Sequence, residues 1–581
     1  MTSRDSIAAA AHPSRKNKNA ARVGHPISFI AGPMLLLASL PAAAQAVPVA
    51  QAGLAPPPAT FTPGPYRIAG TVVNAITGEP VRRATVAVLS DQESQTIESV
   101  KSDNEGHFAL PRLPAAKYQL TASKRGFRTA YYDEHDEFST AIVTGADQDT
   151  SGLTFKLTPG AVLHGVVSGD GGDPVESARV MLFRKPRAQR LGERTVQTET
   201  TTDDTGAYEF SNLAAGEYLV ATMSEPWYAL HRSTGPAGPK QPNDAAAALD
   251  VAYPVTYFDS TIEEAAASPI ELAGGSVETA NINMHAVPAL HLFVETPRKH
   301  DGSIARPELR QSIFGTQVSA ESLGLFDAMR TGSVEFNGVS PGHYELAQGD
   351  PPRVMDLDAT TSQQVDATAG TPSVGVSGTV RTASGAAPPD DVSILLSWLD
   401  GARAQEPVLT MARKGRFSFD AVPPGIWALS AESGAPDGRG MVLAAISTTV
   451  DGKVHAGNQV AVRDSPLSII VTIAQGETRI TGFARKEGKG FAGAMIVLAP
   501  KDLAALRAVV RRDQSDSDGS FSLPNVAPGQ YTVVAIQDGW ELDWSRPDVI
   551  GRYLPKGVAV TVSDKQGKLM TMTDPVPVQP R

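Results

Sequence analysis

The chain has 581 residues, more than one hydrophobic core usually supports, so several domains of ordinary size are expected. Its composition is globular, with 41% hydrophobic and 19% charged residues and abundant Gly (52) and Pro (44), which excludes a disordered chain and suits turn-rich β structure. A formal net charge of −11 spread over so long a chain argues against nucleic acid and anionic lipid as partners, and the absence of cysteine excludes a disulfide framework and a lipid-bearing thiol.

In chain order, residues 1–46 read as an export signal. Arg15, Lys16, Lys18 and Arg22 precede an apolar run at 27–40 that ends in small residues, with cleavage expected after Ala44 or Ala46. As a helix that run spans about 21 Å against about 30 Å of hydrocarbon, so a permanent anchor is the weaker reading. A Pro-rich linker follows at 47–65. No later apolar run is long enough to cross a membrane as a helix, so the expected location is the periplasm, the cell surface or the medium.

One pattern then recurs five times with invariant spacing: Gly, apolar or aromatic residues two, four and seven positions on, a small residue at ten, and Tyr or Trp at twelve. The copies start at Gly106, Gly206, Gly332, Gly415 and Gly519 and close on Tyr118, Tyr218, Tyr344, Trp427 and Tyr531. Period-two alternation followed by a short turn and a closing aromatic predicts a β-hairpin. Upstream of four copies lies a strand with a central glycine, Gly70, Gly165, Gly378 or Gly482, where a bulge or a close backbone approach is expected. The third copy lacks this glycine strand and reads as degenerate or truncated. Further alternating runs bring each unit to roughly seven short strands, the recipe for a two-sheet sandwich.

The glycine strand, the Asp-x-x-Gly turn (Asp103, Asp203 and Asp516) and the hairpin ending in Tyr resemble the carboxypeptidase regulatory-like family, whose prealbumin-like sandwich is akin to Cna B-type and starch-binding-like modules. The resemblance implies an all-β chain, a tandem array of about five Ig-like β-sandwich modules near 66–158, 160–288 (with an inserted loop at 233–249), 289–369, 373–474 and 477–576, and a tail at 577–581. It also implies non-catalytic appendages.

The residues carry no catalytic signature. No His begins the His-x-x-Glu or His-Glu-x-x-His pattern that a zinc hydrolase needs, and neither a Gly-x-Ser-x-Gly elbow nor a phosphate loop is present. No enzyme activity, metal or other cofactor is expected. Asp513, Asp516 and Asp518 match a calcium loop poorly, because Gln514 and Asn525 occupy ligand positions, so they read as a polar turn. The basic group Arg184, Lys185, Arg187 and Arg190 reads as a solvated hairpin loop. The first strands of the first and last modules contain no Lys for an intramolecular Lys–Asn cross-link. The acidic-aromatic stretch 131–137 reads as a solvated loop with its aromatics against a sandwich edge.

Aromatic faces beside carboxylates are the chemistry of sugar recognition. Phe127, Trp227 and Trp540 share one position after the hairpin, which points to a common packing role. Tyr228 and Trp544 have no such counterpart and are the candidate ligand residues, Trp544 with Glu541 and Asp543. The expected function is binding of carbohydrate or protein at or near the cell surface. The alternatives are an accessory subunit of an outer-membrane transport or secretion assembly, and an enzyme with an unrecognised site across module boundaries.

Overall fold

A computed structural model describes residues 63–581, apart from 91–94, 185–195, 232–246, 297–305, 321–331, 350–351, 383–384, 386, 390, 400–406, 434–440, 451–452, 457, 475, 477, 504–508 and 564–567. The expected export signal, the expected linker up to residue 62, and most of both the expected inserted loop and the basic group lie outside the described residues. Among these the secondary structure is overwhelmingly strand, with a few single-turn helical pieces. No helix among them is long and apolar enough to cross a membrane.

Five separate apolar cores lie in series, within residues 68–157, 161–284, 290–365, 374–473 and 480–576. One topology recurs around them. The glycine strand pairs antiparallel with the first repeated strand on one side and parallel with the strand that closes the unit on the other. In the first module Tyr66–Asn74 lies between His107–Leu113 and Leu153–Leu157. The same arrangement holds for Ala161–Ser168, Leu290–Glu295, Val374–Thr382 and Thr478–Lys486. A second sheet built on the closing hairpin strand faces the first. In the fourth module the two sheets join: Met441–Val450 pairs with both Gly425–Ser433 and Leu467–Ala474, and Arg413 pairs with Arg416, closing a barrel-like circuit.

The spacing of the repeat has local causes. Its opening glycine has positive φ in all five copies, between +70° and +84°, a conformation costly for other residues. The step from position four to position seven breaks the alternation because a β-bulge sits there in every copy. The extra residue is left-handed Arg112, Asn212, Gly338 or Asn525 in four of them. The closing aromatic is Tyr or Trp because its polar tip has a fixed task. The hydroxyl or indole N–H donates to the carbonyl four residues back: Tyr118 to Pro114, Tyr218 to Ala214, Tyr344 to Ser340, Trp427 to Pro423 and Tyr531 to Ala527, at 2.8–3.1 Å.

The central glycines answer to close approach, as expected. A Cβ on Gly70 or Gly165 would stand 2.1 or 2.0 Å from a carbonyl oxygen of the closing strand, and one on Gly378 or Gly482 would strike the ring of Phe417 or Phe521. The third module keeps this strand, contrary to the reading of a missing element. Val294 holds the glycine position opposite Val334, where the other four modules set glycine against an aromatic ring. Two mid-sized side chains replace a small and a large one, which conserves volume and hides the element from a search for glycine.

Candidate functional site

The sequence places a ligand platform at Trp544, with Glu541 and Asp543 beside it. In the structure Trp544 is half-buried in an apolar layer on the outer face of the last module's second sheet, with Met495, Val534 and Trp540. The Arg512 guanidinium lies 4.2 Å from its ring centroid, a cation–π contact that occupies the face a sugar would need. Glu541 pairs with Arg581 at 3.2 Å, and Asp543 accepts a hydrogen bond from Ser545 at 2.7 Å. These groups do not converge on an open surface.

That layer is covered by the first module. Phe138 packs into it, and the His135 ring stacks on Trp540 at 5.2 Å with the planes 9° apart. Buried Gln514 donates to the Asp133 carbonyl and to Thr140 Oγ1, while Arg512 pairs with Asp136 and Glu137. The stretch 131–137 keeps its carboxylates mostly exposed and Tyr132 against the first module's core, as its composition predicts, and it also docks the first module on the last. The aspartates of the last module's turn are drawn into the same contact. Asp516 pairs with Lys117 at 2.7 Å, and Ser517 exchanges hydrogen bonds with Ala141 and Val143. Burial pushes Asp513 up to about 7, and pushes Asp516 up to about 6 against the pull of Lys117. In the first two modules Asp103 and Asp203 accept backbone N–H groups of their own turns instead.

The open aromatic is elsewhere. Trp227 is 83% exposed, although its position matches buried Trp540 and half-buried Phe127, so the shared packing role fails in the second module. Tyr228 meets it edge-on at 5.7 Å, and both line a cleft of about 570 Å³ floored by Tyr253. Among the described residues every charged residue lining the cleft is acidic: Asp170, Asp173, Glu176, Asp204 and Glu225. Asp170 is held by His285 at 2.7 Å and by the Ala286 N–H at 2.9 Å, which keep its carboxyl below its ordinary pKa. A clue to the difference lies just downstream. Trp540 is followed by Leu542, Trp544, Ile550 and Tyr553, which bury it, whereas Trp227 runs into Gly, Pro and Ala.

An array of hydrogen-bonded acids and imidazoles adjoins this cleft. His231 lies between Glu225 and Asp250, and His291 between Asp250 and Glu335. No spacing announces it, since its members come from segments up to 110 residues apart. Among the described residues no group of three or more His, Cys, Asp or Glu is arranged to hold a metal ion.

The class defined by this architecture is a string of tandem β-sandwich modules with aromatic and acidic groups gathered on loops. Within it, residues 67–158 match the model of the carboxypeptidase regulatory-like domain, which covers the first of the five repeat copies. Among solved structures, the chain is similar to the TIE protein of Bacillus anthracis, with 11% identity over 67% of this chain and 68% of that one at a TM-score of 0.15. GBS52, the minor pilin of Streptococcus agalactiae, shows 13% identity over 38% and 97% with a TM-score of 0.19. Two B repeat units of the collagen binding protein Cna of Staphylococcus aureus show 10% identity over 70% and 99% with a TM-score of 0.12. Overlaps this slight carry nothing of those proteins' roles to this chain. No curated protein matches the sequence.

Proposed function

We propose that this chain is an exported, non-catalytic binding protein whose ligand cleft lies on the second module, and that it takes a carbohydrate or a protein segment at or near the cell surface. The observation that carries this reading is Trp227, a large apolar ring standing 83% exposed at the rim of a walled cleft. An indole held in water has no packing reason to be there and offers a flat face to a pyranose ring or an extended side chain. The surrounding carboxylates accept hydrogen bonds from sugar hydroxyls or ammonium groups and repel anionic ligands. The positively charged start of the chain and its short apolar run support export.

Trp227→Ala in the full chain is expected to lower affinity at least tenfold for whichever glycan or peptide the native protein selects from a mixed panel. Its melting behaviour should stay unchanged, because so exposed a ring contributes within about 0.5 kcal/mol to stability. Native protein that binds nothing in panels of neutral and basic glycans and peptides, or a variant that binds as well as the native chain, would count against the cleft.

A further inference from the structure

The acid and imidazole array beside the cleft has a geometry that a neutral His291 between two carboxylates does not satisfy. His291 Nε2 lies 2.6 Å from Asp250 Oδ2, and its Nδ1 lies 2.8 Å from Glu335 Oε1. His231 Nδ1 lies 2.9 Å from Asp250 Oδ1, and Glu225 Oε1 stands 2.8 Å from its Nε2, without the alignment of a hydrogen bond. A neutral imidazole has one N–H and one lone pair, so a neutral His291 turns its lone pair on a carboxylate; an imidazolium donates to both.

These rings belong to two modules. His291 and Glu335 come from the paired strands Leu290–Glu295 and Ser333–Val339 of the third module, whose core side is taken by Leu292, Val294, Val334 and Phe336. They sit on the opposite face, which would meet water were it not covered. What covers it is the loop of the second module that follows strand Gly216–Met223 and carries Glu225, Trp227, Tyr228 and His231, together with Asp250. The cover leaves the side chains of His231 and His291 only 7% and 6% exposed. A seat is built for the incoming ring: a Cβ on Gly338, at the bulge of the third module, would stand 2.8 Å from His231 Nε2. Elsewhere the contact between these modules packs Phe183 and Tyr257 on Phe314, with the Glu264 carboxylate accepting the Phe314 N–H and the Asn337 amide donating to the His231 carbonyl.

We propose that Glu225, His231, Asp250, His291 and Glu335 form a proton-operated latch that fastens the Trp227-bearing loop to the third module and releases it as pH rises. Among the described residues the charged groups paired with the two rings are the three carboxylates, from both modules. Burial pulls the His291 imidazole down, and hydrogen bonds and charge from Asp250 and Glu335 outweigh it, leaving the pKa above its ordinary value. A group whose pKa is higher in the closed state favours closure fully below its free value, and that support is lost as pH rises through the closed-state value. The latch is thus shut near pH 6 and loosens toward alkaline pH. Glu225 is shared with the cleft lining, so release also moves a wall of the cleft.

Hydrogen exchange by mass spectrometry on the full chain, from pH 6 to 9 and corrected for the intrinsic exchange rate, reads the latch directly. Opening of segments 225–231 and 289–295 should rise about tenfold per pH unit above about 6.5 for one linked proton, then level off. The strand Val374–Thr382 should show no such rise. In His231→Gln/His291→Gln the opening should be flat with pH. If that double variant fails to fold, Asp250→Asn/Glu335→Gln, which removes both anions bonded to His291 and leaves both rings, should flatten it instead. Opening that is flat in the native chain, a slope that persists in the variant that folds, or a slope shared by Val374–Thr382 would each overturn the proposal.

Discussion

Tyr531→Ala is expected to destabilise the last module by about 3–5 kcal/mol, the range of large-to-small changes in a packed core. The ring is 5% exposed among Ile496, Leu498, Phe521 and Val533, and a cavity there opens at the point where the hairpin begins its second strand. Tyr531→Phe separates packing from hydrogen bonding. It keeps the ring and leaves the Ala527 carbonyl without its donor at 2.8 Å, so about 1 kcal/mol should be lost. Because the chain holds several cores, a single melting curve would mix them. Hydrogen exchange of strands Thr478–Lys486 and Ser520–Val526 in the full chain reads the module itself. A Phe variant as unstable as the Ala variant would place the larger share of the energy in the hydroxyl and refute the packing account.

The repeat made the framework readable from the residues. Five glycines at one offset and five aromatics at another announced a recurring hairpin, because the demands behind them, a positive φ and a buried ring, are local and recur unchanged. The bulge was hidden in the same pattern: the uneven step from position four to position seven records it, yet only the strand register reveals why. Val294 was lost because its compensation lies across the sheet at Val334, and a search for glycine cannot see a volume exchange. The docking contacts of the acidic-aromatic stretch were missed for a related reason. Its partners, Gln514, Arg512 and Trp540, lie more than 370 residues away, and nothing local in 131–137 distinguishes a solvated loop from a docking segment. Trp544 was lost as a ligand platform through the same contact, since Arg512 fills its face. At Trp227 the internal control itself misled: equivalent positions in repeats share a backbone setting, but burial depends on the loop that follows.

The contact between the first and last modules should be sensitive to charge and pH at Lys117. Asp513 and Asp516 have pKa values raised to about 7 and about 6, above the ordinary aspartate value near 3.9. A raised value means that the folded chain takes up these protons before the unfolded one, so the stability that the two carboxyls contribute is fully present below about pH 4 and falls as pH rises through 6 to 7. The segment that carries them is therefore firmer at pH 5 than at pH 8. Lys117 reaches Asp516 at 2.7 Å, with the carboxylate side chain only 3% exposed. Lys117→Met leaves that carboxylate charged and unpaired at pH 8, at a cost of about 3 kcal/mol. At pH 5 Asp516 holds a proton and the loss should shrink below about 1 kcal/mol. Exchange protection of strand Ile142–Val143 and of residues 514–519, measured in the full chain at both pH values, tests this. Adding Asp516→Asn to Lys117→Met removes the orphaned charge and should restore most of the protection at pH 8, the coupling expected of a contacting pair. A double variant as weak as Lys117→Met alone, or a single variant equally weak at both pH values, would show that the loss does not come from an unpaired Asp516 charge.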